Sequence, residues 1–139
     1  MIHSIFQPVA TLMLITFAVW LLMYIKRFSY IIANKIPAQD LSSPEALNAA
    51  LPEKTNRPSN NLKNLFELPV IFYVLCIILH LLQVVDSTFL TMAWAFVMLR
   101  ALHSAIQCTI NIVLFRFAAY LLSSLILLAM VVRFAMMVL

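Results

Sequence analysis

Residues 88–111 read TFLTMAWAFVMLRALHSAIQCTIN. As a helix this run extends roughly 36 Å, more than the ~30 Å of a bilayer's hydrocarbon core. Arg100 and His103 sit deep inside it. A cation in a lipid-facing helix costs roughly 2.5–3.5 kcal/mol, so such residues face a bundle interior and usually have a function. Arg100, His103, Gln107 and Asn111 recur at i, i+3, i+7 and i+11. At 100° per residue they share one face, within about 80°. The run therefore predicts a membrane-spanning helix with a polar stripe descending from mid-membrane to one end.

Three similar runs surround it. Residues 115–138 follow after a short turn and carry Arg116 near their start. Residues 61–85 precede it, separated by the turn residues Asp86 and Ser87. The first run, Pro8 to Ile25, is closed by Lys26 and Arg27, and its helix is expected to cover about 7–32 before Pro37 stops it. It lacks the basic leader and small-residue cleavage site of a signal peptide. Between 33 and 60 the residues are polar, and Pro37, Pro44, Pro52 and Pro58 interrupt them. That stretch reads as a loop holding one short surface helix, with Ser43 as N-cap, Pro44 at N1 and Glu45 in an acidic first turn. Short connections make successive helices antiparallel. The expectation is an all-α, four-helix, up-down-up-down transmembrane bundle filling a single domain, residues 1–139.

Composition agrees. Of 139 residues, 65% are hydrophobic and 10% charged, against about 45–50% and about 25% in soluble domains. Glycine is absent, which excludes Gly-rich phosphate loops and GxxxG helix packing. Cys76 and Cys108 lack a CxxC partner and read as small buried hydrophobes. His3, His80 and His103 have no ligand spacing, so no metal site is expected. Lys26, Arg27, Lys35, Lys54, Arg57 and Lys63 flank the first loop, and Arg116 lies at the same end. The positive-inside rule puts that end in the cytoplasm and both termini on the opposite side. The net charge of +4 suits an anionic lipid surface. No basic, aromatic-interleaved soluble surface is available for nucleic acid.

A second polar stripe opens the 61–85 span. Asn60, Asn64 and Glu67 fall within about 60° of one another, with Asn61 on the flank. Pro69 is expected to kink the helix there. Both stripes open toward the basic end. Guanidiniums suit carboxylates because the fork is bidentate and permanently charged. Glu67 suits an ammonium, and Asn64 and Gln107 suit peptide groups. A cation beside a thiol lowers its pKa from ~8.5 toward neutrality. A bland reading uses the same residues: Glu67 and Arg100 neutralise each other, and Asn64, His103 and Gln107 act as interhelical hydrogen-bond glue.

The stripes resemble the MAPEG family, the membrane-associated proteins in eicosanoid and glutathione metabolism. The resemblance lies in Asn61-x-x-Asn64-x-x-Glu67-x-Pro69, in Arg100-x-x-His103, and in Arg116 sixteen residues after Arg100. Pro37-x-x-Asp40 also looks like the family's first loop. This resemblance implies a homotrimer with glutathione bound between subunits near the cytoplasmic face. It implies that Glu67, Arg100, His103 and Arg116 line or support that site, and that Arg116 serves the glutathione thiol. Asn61, Asn64 and Gln107 complete the expected binding set. A basic residue late in the first helix helps some members, and Arg27 is the nearest match. Gln107 stands where several catalytic members have tyrosine, and Phe117 where one branch has serine. These departures disfavour prostaglandin synthesis. The compact chain looks like a bacterial, inner-membrane member.

The leading expectation is a glutathione transferase or lipid hydroperoxide peroxidase, taking an apolar electrophile from the bilayer. A non-catalytic lipid-binding or scaffold protein of the same fold is the alternative, favoured by the missing tyrosine. A transporter or channel ranks last, because the polar stripes stop near mid-membrane.

Overall fold

A computed structural model describes residues 4–139; His3 lies outside them. The described residues are helical throughout, with no strand. The helices are α1 (Phe6–Ala33), α2 (Pro44–Ala50), α3 (Glu53–Leu65), α4 (Leu68–Leu81), α5 (Ser87–Cys108) and α6 (Val113–Val138), with one 3-10 turn at Ala38–Leu41. Four units are long and apolar enough to cross a membrane: α1, α3 with α4, α5 and α6. The protein is thus an integral, multi-pass membrane protein with an all-helical four-span bundle.

The second span differs from the sequence expectation in two ways. It begins at Glu53, where a loop was expected to run to residue 60, and its helix ends at Leu81 and not at Val85. Pro58 lies inside α3. It falls in the second turn, where its missing N–H forfeits only the bond to the Lys54 carbonyl. The Glu53–Arg57 pair, 2.9 Å and one turn apart, braces the turn just before it. Asn56 Nδ2 ties the turn to the carbonyls of Asn48 and Leu51, at 3.1 and 3.2 Å.

The second difference is the break itself. The helix does not bend at Pro69 but stops at Leu65 and restarts at Leu68. Proline lacks an N–H, and its ring collides with the carbonyl four residues back, so it fits best in a helix's first turn. Breaking at Phe66–Glu67 puts Pro69 in the first turn of α4. The cost is a set of carbonyls at the end of α3 without their helical donors.

Without glycine, three helix ends use other residues in the left-handed conformation: Lys35 (φ 51°), Gln83 (φ 57°) and Asn111 (φ 52°). After α1, Ile36 N bonds Ile31 O at 3.1 Å; after α4, Val84 N bonds Leu79 O at 3.1 Å. These bonds close the helix ends in the usual way at a steric cost that glycine would avoid.

The apolar core lies in the middle and outer part of the bundle. Leu12, Phe72, Leu79, Phe89, Phe96 and Met130 are fully enclosed. The rings of Phe72 and Phe96 meet at 4.7 Å. Both cysteines are free and buried. At the end opposite the basic loops, Asp86 caps α5 by accepting from Phe89 N at 2.9 Å. Its carboxylate also takes both Nη groups of Arg133, one at 2.9 Å, joining α5 to α6. The Arg133 guanidinium, helped by that backbone N–H, holds the Asp86 carboxyl down at about 2.

Candidate functional site

Five of the seven residues read from the sequence as binding or catalytic form one connected hydrogen-bonded cluster with the backbone of a sixth. The last two turns of α3 present Asn61 and Asn64. The last turns of α5 present Arg100, His103 and Gln107, and α6 opens with Arg116. Asn61 Nδ2 donates to Gln107 Oε1 at 2.9 Å, and Asn64 Nδ2 donates to the same oxygen at 3.1 Å. His103 Nε2 lies 3.5 Å from Asn64 Nδ2, which donates to it in the neutral ring, and 3.1 Å from Gln107 Oε1. His103 Nδ1 faces the Arg116 carbonyl at 2.9 Å. A carbonyl only accepts, so Nδ1 carries the proton.

Arg100 is fully buried. Its Nη2 donates to the Asn64 carbonyl at 2.7 Å. In an unbroken helix the N–H of Leu68 would take that carbonyl; here the break leaves it to the guanidinium and a longer bond from Glu67 N at 3.4 Å. Helix breaks inside membranes persist where neighbouring groups satisfy the freed backbone in this way. The Tyr120 ring packs under the guanidinium, 5.3 Å from its carbon. Nε and Nη1 of Arg100 have no partner within the protein. Buried donors are nearly always bonded, so two orphans on one guanidinium call for an explanation.

Glu67 stands apart. It is exposed at the helix break, and it does not pair with Arg100. The ion pairs among the described residues are Glu53–Arg57 and Asp86–Arg133. Glu67 thus acts on Arg100 only through its charge at longer range, and no direct ion pair neutralises the two.

Arg116 opens the site to the outside. Its Nη1 donates to Asn111 Oδ1 at 2.6 Å, and Asn111 Nδ2 donates to Glu53 Oε1 at 2.9 Å. The guanidinium is thus held by an amide, with the carboxylate one residue further away. Asn64, His103, Arg116 and Tyr120 line a cleft of about 290 Å³, and Val113 and Phe117 form its apolar wall. The cleft can hold an anion against Arg116 and an apolar group against Phe117.

Asn61 and Gln107 point into the interhelical network, Arg100 is enclosed behind Tyr120, and none of these three nor Glu67 lines this cleft. Tyr120 was missed by the sequence reading. Its signal was its place one turn after Arg116, on the same face. Asn111 was read as the end of a stripe, and its hold on Arg116 was not foreseen. Arg27 bonds Ser59 Oγ at 2.8 Å and lies in a different cavity.

No curated protein and no solved structure matches this chain. A family model does, over residues 5–136, nearly the whole length, and its description is the MAPEG family. That match brings together the four spans, the broken second span and the polar cluster at the basic end: the chain belongs to the MAPEG family.

Proposed function

We propose that this protein is a membrane-bound glutathione-dependent enzyme, a transferase or lipid hydroperoxide peroxidase. The observation that carries the reading is Arg116, a guanidinium steadied by an amide and free of any acid, on the rim of a cleft with an apolar wall. A cation there stabilises the glutathione thiolate, and the thiol proton leaves to water. Arg116 does not take it, because a guanidinium is already fully protonated. The thiolate sulfur then attacks an electrophilic carbon and expels its leaving group. With a lipid hydroperoxide it attacks the peroxide oxygen, and a second glutathione completes the reduction to alcohol, water and the disulfide. The unpaired nitrogens of Arg100 supply further donors for a carboxylate, with His103, Asn64 and exposed Glu67 beside it. Asn61 and Gln107 orient that set. The apolar reactant arrives from the bilayer past Phe117.

The same proposal takes the protein as a homotrimer in which a neighbouring subunit closes the cleft. It puts the basic end in the cytoplasm of a bacterial inner membrane. The family also includes non-catalytic members. Gln107 favours that second reading, since its oxygen is fully used within the protein.

The test is glutathione binding by calorimetry, together with turnover of an aryl halide and of cumene hydroperoxide by purified protein. Arg116→Ala is expected to lower turnover by roughly 10²–10³, the cost of removing one donor to a developing anion. Arg116→Lys should recover part of it. Unchanged turnover in Arg116→Ala would overturn the role given to that residue. A folded protein that neither binds nor turns over would transfer the reading to the non-catalytic class.

A further inference from the structure

A cavity larger than the cleft at Arg116, about 380 Å³, lies between α1, the strap 41–48 and α3. Arg27, Lys63, Ser42, Ser43 and Ser59 supply its polar lining, and no acid is among its residues. It shares no residue with the Arg116 cleft. Arg27 Nη2 is spent on Ser59 Oγ at 2.8 Å, but its Nε is buried and has no partner within the protein. Ser59 and Ser43 each accept one hydrogen bond, from Arg27 and from Ala46 N. Their hydroxyl protons stay available to an acceptor. The cavity therefore presents two cations, an unpartnered donor and hydroxyls, a set that fits a phosphate.

Depth in the membrane identifies which phosphate. Twenty-one residues separate Phe6 and Arg27 along α1, roughly 32 Å of rise against a hydrocarbon core of ~30 Å. Arg27 therefore lies at headgroup level when α1 spans the bilayer. Two turns back toward the membrane centre, the same α1–α3 seam holds a small apolar cavity of about 90 Å³, lined by Trp20, Leu62 and Phe66 among others. Trp20 and Phe66 are exposed there, and Tyr24 and Phe28 continue the aromatic surface with rings stacked at 5.6 Å. A charged pocket at headgroup level and an apolar cavity at acyl-chain level thus lie along one seam.

We propose that this seam binds one anionic phospholipid, with its phosphate on Arg27 and Lys63 and an acyl chain along Trp20 and Phe66. Charge complementarity commits the site to an anionic lipid over a zwitterionic one, whose ammonium would meet two cations.

Trp20 reports the occupant directly. The chain has two tryptophans, so Trp94→Phe leaves Trp20 as the sole emitter. In nanodiscs, phosphatidylglycerol brominated on its acyl chains is expected to quench Trp20 at lower mole fraction than brominated phosphatidylcholine. Arg27→Gln or Lys63→Gln should each weaken that preference roughly fivefold, the usual contribution of one cation at an anionic surface. Equal quenching by the two lipids, or a preference untouched by both substitutions, would overturn the proposal. Relief of quenching by inorganic phosphate would assign the cavity to a soluble phosphate compound. Relief by glutathione would make it part of the thiol site. Native mass spectrometry of the unaltered protein, counting retained phosphatidylglycerol against phosphatidylcholine, gives the same comparison should Trp94→Phe fold poorly. An equal count there would equally overturn the lipid site.

Discussion

Arg100→Met separates a ligand-binding guanidinium from a structural one. In the ligand-free protein this guanidinium makes one good bond, to the Asn64 carbonyl at 2.7 Å. A hydrogen bond to a charged group contributes about 1.5–3 kcal/mol. The Tyr120 ring beneath it adds about 0.5–2 kcal/mol. Against these, Nε and Nη1 are buried without partners, and each unmet donor costs about 1–3 kcal/mol. Gains and costs nearly cancel, and methionine refills most of the volume. The expected change in stability is within about 2 kcal/mol of zero, which moves the melting temperature by less than ~8 °C. Glutathione affinity is expected to fall at least ~30-fold, because truncating one side of a desolvated charge pair costs about 2–5 kcal/mol. The assay is thermal unfolding in detergent beside calorimetric titration with glutathione. A loss of about 3–5 kcal/mol in stability with affinity unchanged would refute the reasoning and make Arg100 a purely structural cation.

Three other outcomes follow from the same geometry. Asn111→Asp sets a carboxylate directly on Arg116; the neutralised cation should raise the bound thiol's pKa and cut turnover at neutral pH roughly tenfold, read from the pH–rate profile. Asp86, held down at about 2, stabilises the fold fully above its ordinary value near 3.8, and that contribution is lost as the pH falls toward 2. Melting temperature should therefore drop over that window in the unaltered protein and stay flatter in Asp86→Asn. Gln83→Gly relieves a left-handed residue at the end of α4 and should stabilise the protein by about 1 kcal/mol, measured by the same thermal scan.

Much of the site was legible because helical spacing is a strong constraint. Once residues 88–111 span a membrane, Arg100, His103 and Gln107 must share a face, and short turns bring that face to α3 and α6. What the spacing could not reveal was how the polar groups divide among themselves. Asn61 and Gln107 look like ligands on a helical wheel, yet Asn61 Nδ2 is spent on Gln107 Oε1 at 2.9 Å. Glu67 shares a wheel sector with Asn64, but the break between them turns the backbone and leaves it exposed. The wheel assumes an unbroken helix, and Pro69 removes that assumption. Tyr120 sits in an apolar run where aromatic residues are common, so only its partner Arg100 on the preceding helix marks it. The start of α3 is hidden by Pro58, which reads as a stop; the turn around it is held by Asn56 Nδ2 on the carbonyls of Asn48 and Leu51. The Asp86–Arg133 clasp joins residues far apart in the chain, which no local pattern announces.

The broken second span has a consequence for descent. Pro69 forces the gap, and the gap frees the carbonyl that Arg100 occupies. A lineage that replaced the proline would heal the helix and leave the arginine's one partner to Leu68. A lineage that replaced the arginine would leave that carbonyl only the long bond from Glu67 N at 3.4 Å. The two positions, thirty-one apart in sequence, are one inherited character, and substitutions at either should be accompanied by substitutions at the other.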